Sequence, residues 1–390
     1  MTDLGRRLAE LRDRGLHRRL RLVETAQGPR VTLDGRPVLL LCSNNYLGLA
    51  DHPRVTEAAA EAALRWGAGS GASRLISGNM EPHRALERRL AEFTGYEAAL
   101  LFGSGYLANT GVVAALAGAG EVVFSDELNH ASIVDGCRLS RAETFVYRHA
   151  DLEHLEWGLR NAAGEPALIV TDGLFSMDGD VAPLPELLEL ARRHGCRLLV
   201  DEAHATGALG PAGRGTVAAA GLSGEVDVVV GTLGKSLGSY GAYACASAQT
   251  VDYLLNTARP FIFSTAPPPP ALGAAGAALG LLEAEPWRVE RLRENAAELR
   301  AALAAEGLEP ASETQILPVL VGGAEATMRL CERLLERGVF AQGIRPPTVP
   351  PGSSRLRLSV MATHAADELR EAAREIGAAA RAEGLLPAAA

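Results

Sequence analysis

Only one side chain in this sequence can offer a primary amine. Lys235 is the sole lysine among 390 residues, although lysine and arginine together number 38, so every other residue of that pair is arginine. Bonding covalently to a carbonyl carbon needs an amine that can lose its proton, which a guanidinium does not do at any working pH. The apolar run Val226-Asp227-Val228-Val229-Val230 precedes the glycine-rich turn Gly231-Thr232-Leu233-Gly234-Lys235-Ser236-Leu237-Gly238. That order places the amine on a loop leaving a buried strand, where open α/β sheets gather their ligands.

A carboxylate stands at a similar place upstream. Cys196-Arg197-Leu198-Leu199-Val200-Asp201-Glu202-Ala203-His204 reads as a buried strand ending in an acid, with a histidine three residues on. Alone, Asp201 could equally cap the following turn. Paired with the amine it meets the needs of pyridoxal phosphate, namely a lysine for the aldehyde and an acid that keeps the pyridine nitrogen protonated. The phosphate needs backbone donors, and Phe102-Gly103-Ser104-Gly105-Tyr106-Leu107-Ala108-Asn109 supplies a glycine turn between a strand and a helix start. A plain turn reads the same way. Asn129-His130-Ala131-Ser132 follows another strand, where His130 could stack on a flat ring or be merely structural or exposed. Arg355-Leu356-Arg357-Leu358 alternates as a strand, so both guanidinium groups share one face, where they could grip a carboxylate or lie in solvent.

Positioning these groups requires a layered α/β scaffold. Apolar segments at Ala98-Phe102, Glu121-Ser125, Ala167-Thr171, Arg197-Asp201, Val226-Thr232 and Gly241-Ala246 alternate with amphipathic helices, the pattern of a mainly parallel sheet covered by helices. The proline run Pro267-Pro270 breaks the chain, and a long helical stretch from about Ala271 through Glu306 follows. After it come a strand at Gln315-Val321, a helix at Ala324-Gly338, a strand near Arg355-Val360 and a closing helix, a smaller α+β unit. We therefore expect an N-terminal helix and short strand segment over 1–45, a large domain over 46–270 and a C-terminal domain over 271–390. Met1 to Leu22 alternates leucine and arginine in helical fashion and lacks the apolar centre of a signal peptide.

Composition narrows the classes. The chain is 47% hydrophobic with a net charge of −9, which suits a large soluble core and disfavours a nucleic-acid surface. No apolar run approaches the roughly 20 residues that span a bilayer. Five scattered cysteines, Cys42, Cys137, Cys196, Cys245 and Cys331, form no CxxC pair and suggest a reducing cytoplasm, without zinc or a disulfide framework.

Taken together, Ser43-Asn44-Asn45-Tyr46-Leu47-Gly48-Leu49, Gly67-Ala68-Gly69-Ser70-Gly71-Ala72-Ser73-Arg74, Asn129-His130-Ala131-Ser132, Asp201-Glu202-Ala203-His204 and Thr232-Leu233-Gly234-Lys235 resemble the α-oxoamine synthases over nearly the whole chain. The resemblance implies fold type I, the aspartate aminotransferase-like architecture, with a mainly parallel seven-stranded sheet and a small C-terminal α+β domain. Ser73-Arg74-Leu75-Ile76-Ser77-Gly78-Asn79 and Arg345-Pro346-Pro347-Thr348-Val349-Pro350 most resemble the branch that joins L-alanine to a pimeloyl thioester, carried by acyl carrier protein or coenzyme A.

By that resemblance Lys235 would hold the cofactor's aldehyde carbon, and Asp201 would pair with its ring nitrogen. His204 and Thr232 would meet its phenolic oxygen and phosphate region, and His130 would stack on the ring. Gly105, Tyr106 and Ser176 would also touch the cofactor, while Ser264 and Thr265 would reach the phosphate of a second subunit in a homodimer. Arg357 would hold the amino-acid carboxylate together with Asn44, His130 and Thr348 around the substrate, and Arg18, or its neighbour Arg19, would meet the acyl group. Two positions depart from the family pattern: Asp172 stands where a glutamate is common, and Asn45 where an aspartate is. An aminotransferase, or an oxoamine synthase joining another amino acid and acyl chain, as in glycine C-acetyltransferase, is the alternative. A cofactor-binding regulator would need an appended basic module for which the chain has no spare length.

Overall fold

Strand and helix boundaries follow the punctuation of the sequence closely. The computed structural model describes residues 3–18 and 20–387. Near the N-terminus, β1 (Arg30–Leu33) and β2 (Arg36–Leu40) form an antiparallel hairpin. Seven further strands build the central sheet: β3 (Ala98–Phe102), β4 (Glu121–Asp126), β5 (Glu143–Tyr147), β6 (Glu165–Asp172), β7 (Arg197–Asp201), β8 (Val228–Thr232) and β9 (Ala242–Ala246). Their order is β3-β9-β8-β7-β6-β4-β5. All neighbours are parallel except β9, which runs against both β3 and β8. Because β4, β6, β7 and β8 share a direction, their final residues Asp126, Asp172, Asp201 and Thr232 emerge at one edge of the sheet. That edge is where a doubly wound sheet offers its crevice.

The connecting helices bury one stripe each. In Leu184–His194, for example, Leu184, Leu187, Leu188 and Ala191 recur at helical spacing and are buried. The C-terminal unit carries β10 (Ile316–Gly322), β11 (Val339–Phe340), β12 (Gln342–Ile344) and β13 (Ser354–Ser359). Strand β13 lies between β10 and β12, antiparallel to both, while β11 pairs in parallel with β2. One hydrophobic cluster runs from Leu41 and Leu47 through Leu233 and Leu237 to Leu356 and Leu358, so β13 is packed directly onto the lysine loop's surroundings.

The structure differs from the sequence expectations at several places, among them the unexpected short strands β11 and β12. The stretch from Ala271 through Glu306 is two helices, Pro269–Ala284 and Trp287–Ala305, because Pro286 has no N–H to continue the ladder. Strand β5 escaped the periodicity reading because it is the sheet's edge, and three of its five residues, Glu143, Thr144 and Val146, are exposed. The leading helix stops at Asp13, just before Gly15 at φ +63°, and buries no residue, so the helical pattern up to Leu22 does not continue as helix.

Candidate active site

A cavity of about 190 Å³ opens at the carboxyl edge of the sheet, lined by Gly105, Tyr106, Asn109, His130, Ser132, Asp172, Leu174, Asp201, Ala203, His204, Thr232 and Lys235. Seven residues singled out in the sequence therefore meet in one place: Lys235, Asp201, His204, His130, Thr232, Gly105 and Tyr106. Burial is the largest influence on Lys235 and lowers its ammonium from the ordinary 10.5 to about 8; Asp201 and Asp172 oppose that fall, and Arg357 adds to it. Such an amine gives up its proton near neutral pH far more readily than an ordinary lysine.

Asp201 both caps its turn and faces the cavity. Its Oδ1 accepts from the Ala203 N–H at 2.8 Å, and its Oδ2 accepts from Asn109 Nδ2. The same Asn109 nitrogen donates to Ser132 Oγ at 2.9 Å, and Ser132 Oγ lies 2.7 Å from His130 Nδ1. A chain of side chains thus links the acid of β7 to the exposed imidazole ahead of helix Ala131–Ser140. The sequence shows Asn109 only at the end of a glycine turn; the signal it carries is helical spacing, four residues after Gly105, which turns it to the cavity. Its Oδ1 is buried without a protein partner.

His204 is buried, and its Nδ1 lies 2.8 Å from Tyr46 Oη. Burial foremost, and the positive charges of Lys235, Arg357 and His130, hold its imidazole well below the ordinary value, so it stays neutral. Asp172, opposite Asp201 in the β6–β7 register, is pushed well above the carboxylate range by burial first and by the Asp201 charge second. Its backbone N–H donates to Asn129 Oδ1 at 2.9 Å.

The loop after β6 brings in the C-terminal unit. Arg357 donates from Nε to the Ser176 carbonyl, and from Nη1 and Nη2 to Asn44 Oδ1 at 3.3 Å each. Arg355, on the same strand face, pairs with Asp178. Both arginines are buried, so this face is not solvated. His149 pins the same loop from the other side: its Nε2 lies 2.8 Å from Asp180 Oδ2 and its Nδ1 3.0 Å from Asp126 Oδ1, with its ring edge-on to Phe175 at 4.5 Å. These two carboxylates raise its imidazole to about 10. No sequence signal had separated His149 from an ordinary loop histidine.

The turn between β2 and helix Pro53–Trp66 carries Asn44. Here the amide at Asn45 has a purpose that an aspartate could not serve: its Nδ2 donates to Gln27 O at 2.8 Å while its Oδ1 accepts from the Leu49 N–H at 2.9 Å. Gly48 turns the chain at φ +65°, and a Cβ there would lie 2.5 Å from Thr363 Cγ2.

The remaining expected residues lie elsewhere. Arg18 and Thr348 line a second cavity of about 650 Å³, whose walls mix apolar side chains such as Leu33 and Phe340 with charged ones such as Arg21, Glu332 and Arg345. Arg19 lies outside the described residues. Ser264 and Thr265 are outside the lysine cavity, and Thr265 forms a bridge with Ser73. That region is anchored by Arg74, which meets Glu87 through two parallel hydrogen bonds of 2.8 and 2.9 Å.

The lysine cavity fits pyridoxal phosphate on several counts. It combines an amine of lowered basicity, a carboxylate, a neutral imidazole and the start of helix Gly105–Leu116, whose first N–H groups have no partner within the helix. A Cβ at Gly105 would meet no protein atom and would stand in open space. Negative charge suits that helix start.

Comparison with known proteins agrees with this chemistry. The class I and II aminotransferase family model matches residues 36–376. The 8-amino-7-oxononanoate synthase of Geobacter metallireducens is 54% identical over 97% of this chain and 98% of its own length. Its counterpart in Geobacter sulfurreducens is 56% identical over 94% of each. Among solved structures, a serine palmitoyltransferase variant from S. paucimobilis with a bound PLP–myriocin aldimine superposes with a TM-score of 0.93 at 34% identity, covering 98% of both chains. An 8-amino-7-oxononanoate synthase from Francisella tularensis gives 0.77 at 28% identity, covering 89% of this chain and 99% of its own.

Proposed function

Because the chain belongs to the class I and II aminotransferase family, and within it to the 8-amino-7-oxononanoate synthases, we propose that it joins L-alanine to a pimeloyl thioester with pyridoxal phosphate as cofactor. The products are 8-amino-7-oxononanoate, CO2 and the free thiol, a step of biotin formation. The convergence of Lys235, Asp201, His204 and His130 on one cavity carries this reading. The bound cofactor supplies an aldehyde that captures amines and a ring that accepts electrons.

The chain's residues do the rest. Lys235 would hold the cofactor's aldehyde carbon when alanine is absent, and its Nζ, once free, would take the proton from the alanine α-carbon. Asp201, oriented by Asn109 and the Ala203 N–H, keeps the pyridine nitrogen protonated. His130 would cover the cofactor's ring, and His204 and Thr232 would address its phenolic oxygen and phosphate; all three line the Lys235 cavity. Gly105, Tyr106 and Ser176 complete the cofactor's surroundings, with Ser264 and Thr265 serving the second subunit of a homodimer. Arg357 and Asn44 grip the alanine carboxylate, already adjacent at 3.3 Å. The α-carbon bonds to the thioester carbonyl as the C–S bond breaks and the thiolate leaves; the carboxylate then departs as CO2, and the proton held at Lys235 Nζ returns to the α-carbon in its place. Arg18 and Thr348 receive the acyl group in the second cavity, whose walls offer both apolar side chains for methylene groups and arginines for negative charge. A division into 1–45, 46–270 and 271–390 accompanies this reading, and so does a cytoplasmic location. Among the described residues no helix is long and apolar enough to cross a membrane.

The close superposition on a serine palmitoyltransferase favours one second reading, an oxoamine synthase using another amino acid or acyl thioester. A matrix of amino acids against acyl thioesters, scored by free thiol and CO2, separates the two. Highest turnover with alanine and pimeloyl thioester is expected; preference for another pair, or transamination without CO2, overturns the proposal.

A further inference from the structure

Three groups of the site meet at one buried hydroxyl. Tyr46 is fully buried, and its Oη lies 2.8 Å from His204 Nδ1, 3.1 Å from Asn44 Oδ1 and 3.3 Å from Arg357 Nη2. A phenol has one hydrogen to give and lone pairs to receive. Arg357 has no acceptor, so its Nη2 donates to the hydroxyl. The hydroxyl's own hydrogen then has two candidate acceptors. Asn44 Oδ1 already receives both terminal nitrogens of Arg357. His204 Nδ1 is nearer and has no other protein partner among the described residues. The hydrogen therefore belongs on the Tyr46–His204 bond, directed at Nδ1.

A neutral imidazole carries one ring hydrogen. With Nδ1 accepting, it resides on Nε2, which has no protein partner among the described residues, and His204 lines the Lys235 cavity. We propose that Tyr46 is a positioning residue, which holds His204 in the Nε2–H tautomer and ties that tautomer to the Arg357–Asn44 pair. The proposal rests on the reaction assigned above and deepens it. A hydrogen-bond donor on the cavity side suits the cofactor's phenolic oxygen, whereas the other tautomer would present a lone pair to it. The carboxylate-binding guanidinium and the cofactor-facing imidazole share one oxygen atom, so the occupancy of one bears on the orientation of the other.

The tautomer can be read without cofactor or substrate. In the cofactor-free protein labelled with 15N-histidine, the His204 ring signals are identified by their loss in His204→Gln. We expect a protonated Nε2 and a bare Nδ1 near neutral pH. In Tyr46→Phe, which keeps the ring, the tautomers should mix. In the loaded variant kcat should fall about tenfold, with the thioester KM unchanged. Hydrogen found on Nδ1 in the wild-type protein overturns the proposal, as does a folded Tyr46→Phe protein with an unaltered tautomer. If that variant does not fold, the wild-type spectrum decides alone. Because the spectrum is taken without substrate, loss of the assigned reaction and loss of the assigned tautomer are separate results.

Discussion

Replacing His149 with glutamine tests whether charge holds the loop that carries Ser176 and Asp178. In the folded chain the imidazole is raised from 6.5 to about 10 by Asp126 and Asp180. Each tenfold change in proton affinity is worth about 1.4 kcal/mol, so linkage bounds the contribution at about 5 kcal/mol. The ring is 24% exposed and Asp180 39%, so solvent screening brings the expected value to about 2 kcal/mol. The sign follows from the raised value. The folded state holds the proton more tightly, so the stabilisation is full below pH 6.5 and is lost as pH climbs to about 10. Asp126 and Asp180 are the carboxylates that meet the ring, Glu127 accepts from the His149 backbone N–H, and all three remain in both proteins. The assay is the difference in urea midpoint between wild type and His149→Gln, both saturated with cofactor, from pH 6 to 10.5. That difference should shrink steadily above neutrality. A difference constant with pH, or one that grows, would refute the electrostatic argument. The variant's alanine KM should rise severalfold, because Ser176 O steadies Arg357.

Further outcomes bear on the other parts of the site. Lys235→Ala should remove the visible absorption of lysine-bound cofactor and reduce turnover by more than about a thousandfold, read by spectrum and thiol release. Arg357→Lys should raise the alanine KM by about tenfold or more while leaving the thioester KM in place, since an ammonium cannot make the paired contact with a carboxylate. Glu87→Gln leaves the Arg74 guanidinium buried with a weakened partner, and should cost about 3 kcal/mol in thermal or urea unfolding.

Residues at strand ends were legible in sequence because strand and loop signals coincide there. Asp201 closes an apolar run and Lys235 opens a glycine-rich turn, and the fold brings them to one cavity. Strands with both faces covered, such as β7 and β8, declared themselves by continuous apolar composition. Edge strand β5 did not, because one side of it answers to water. Tyr46, Asn109 and His149 were not visible as site residues for a different reason. Each acts through at least one partner 23 or more positions away, and no local pattern encodes such a meeting. Whether Arg355 and Arg357 met solvent or protein was likewise decided by Asp178, Ser176 and Asn44, remote from β13 in sequence.

The replacement of lysine by arginine across the whole surface has a practical consequence for protein chemistry. Every cation in the surface ion pairs is an arginine or a histidine among the described residues, and the sole ε-amine lies in a cavity of about 190 Å³. Amine-directed crosslinkers therefore have no pair of surface lysines to span, and a blank result with them says nothing about subunit assembly; sedimentation or light scattering must answer that question. Acylating dyes and aldehyde resins will address only the chain's α-amino group and Lys235. A reagent that modifies a single ε-amine in this protein has reached the cavity, which makes stoichiometric amine labelling of the cofactor-free protein a direct gauge of whether that cavity is open.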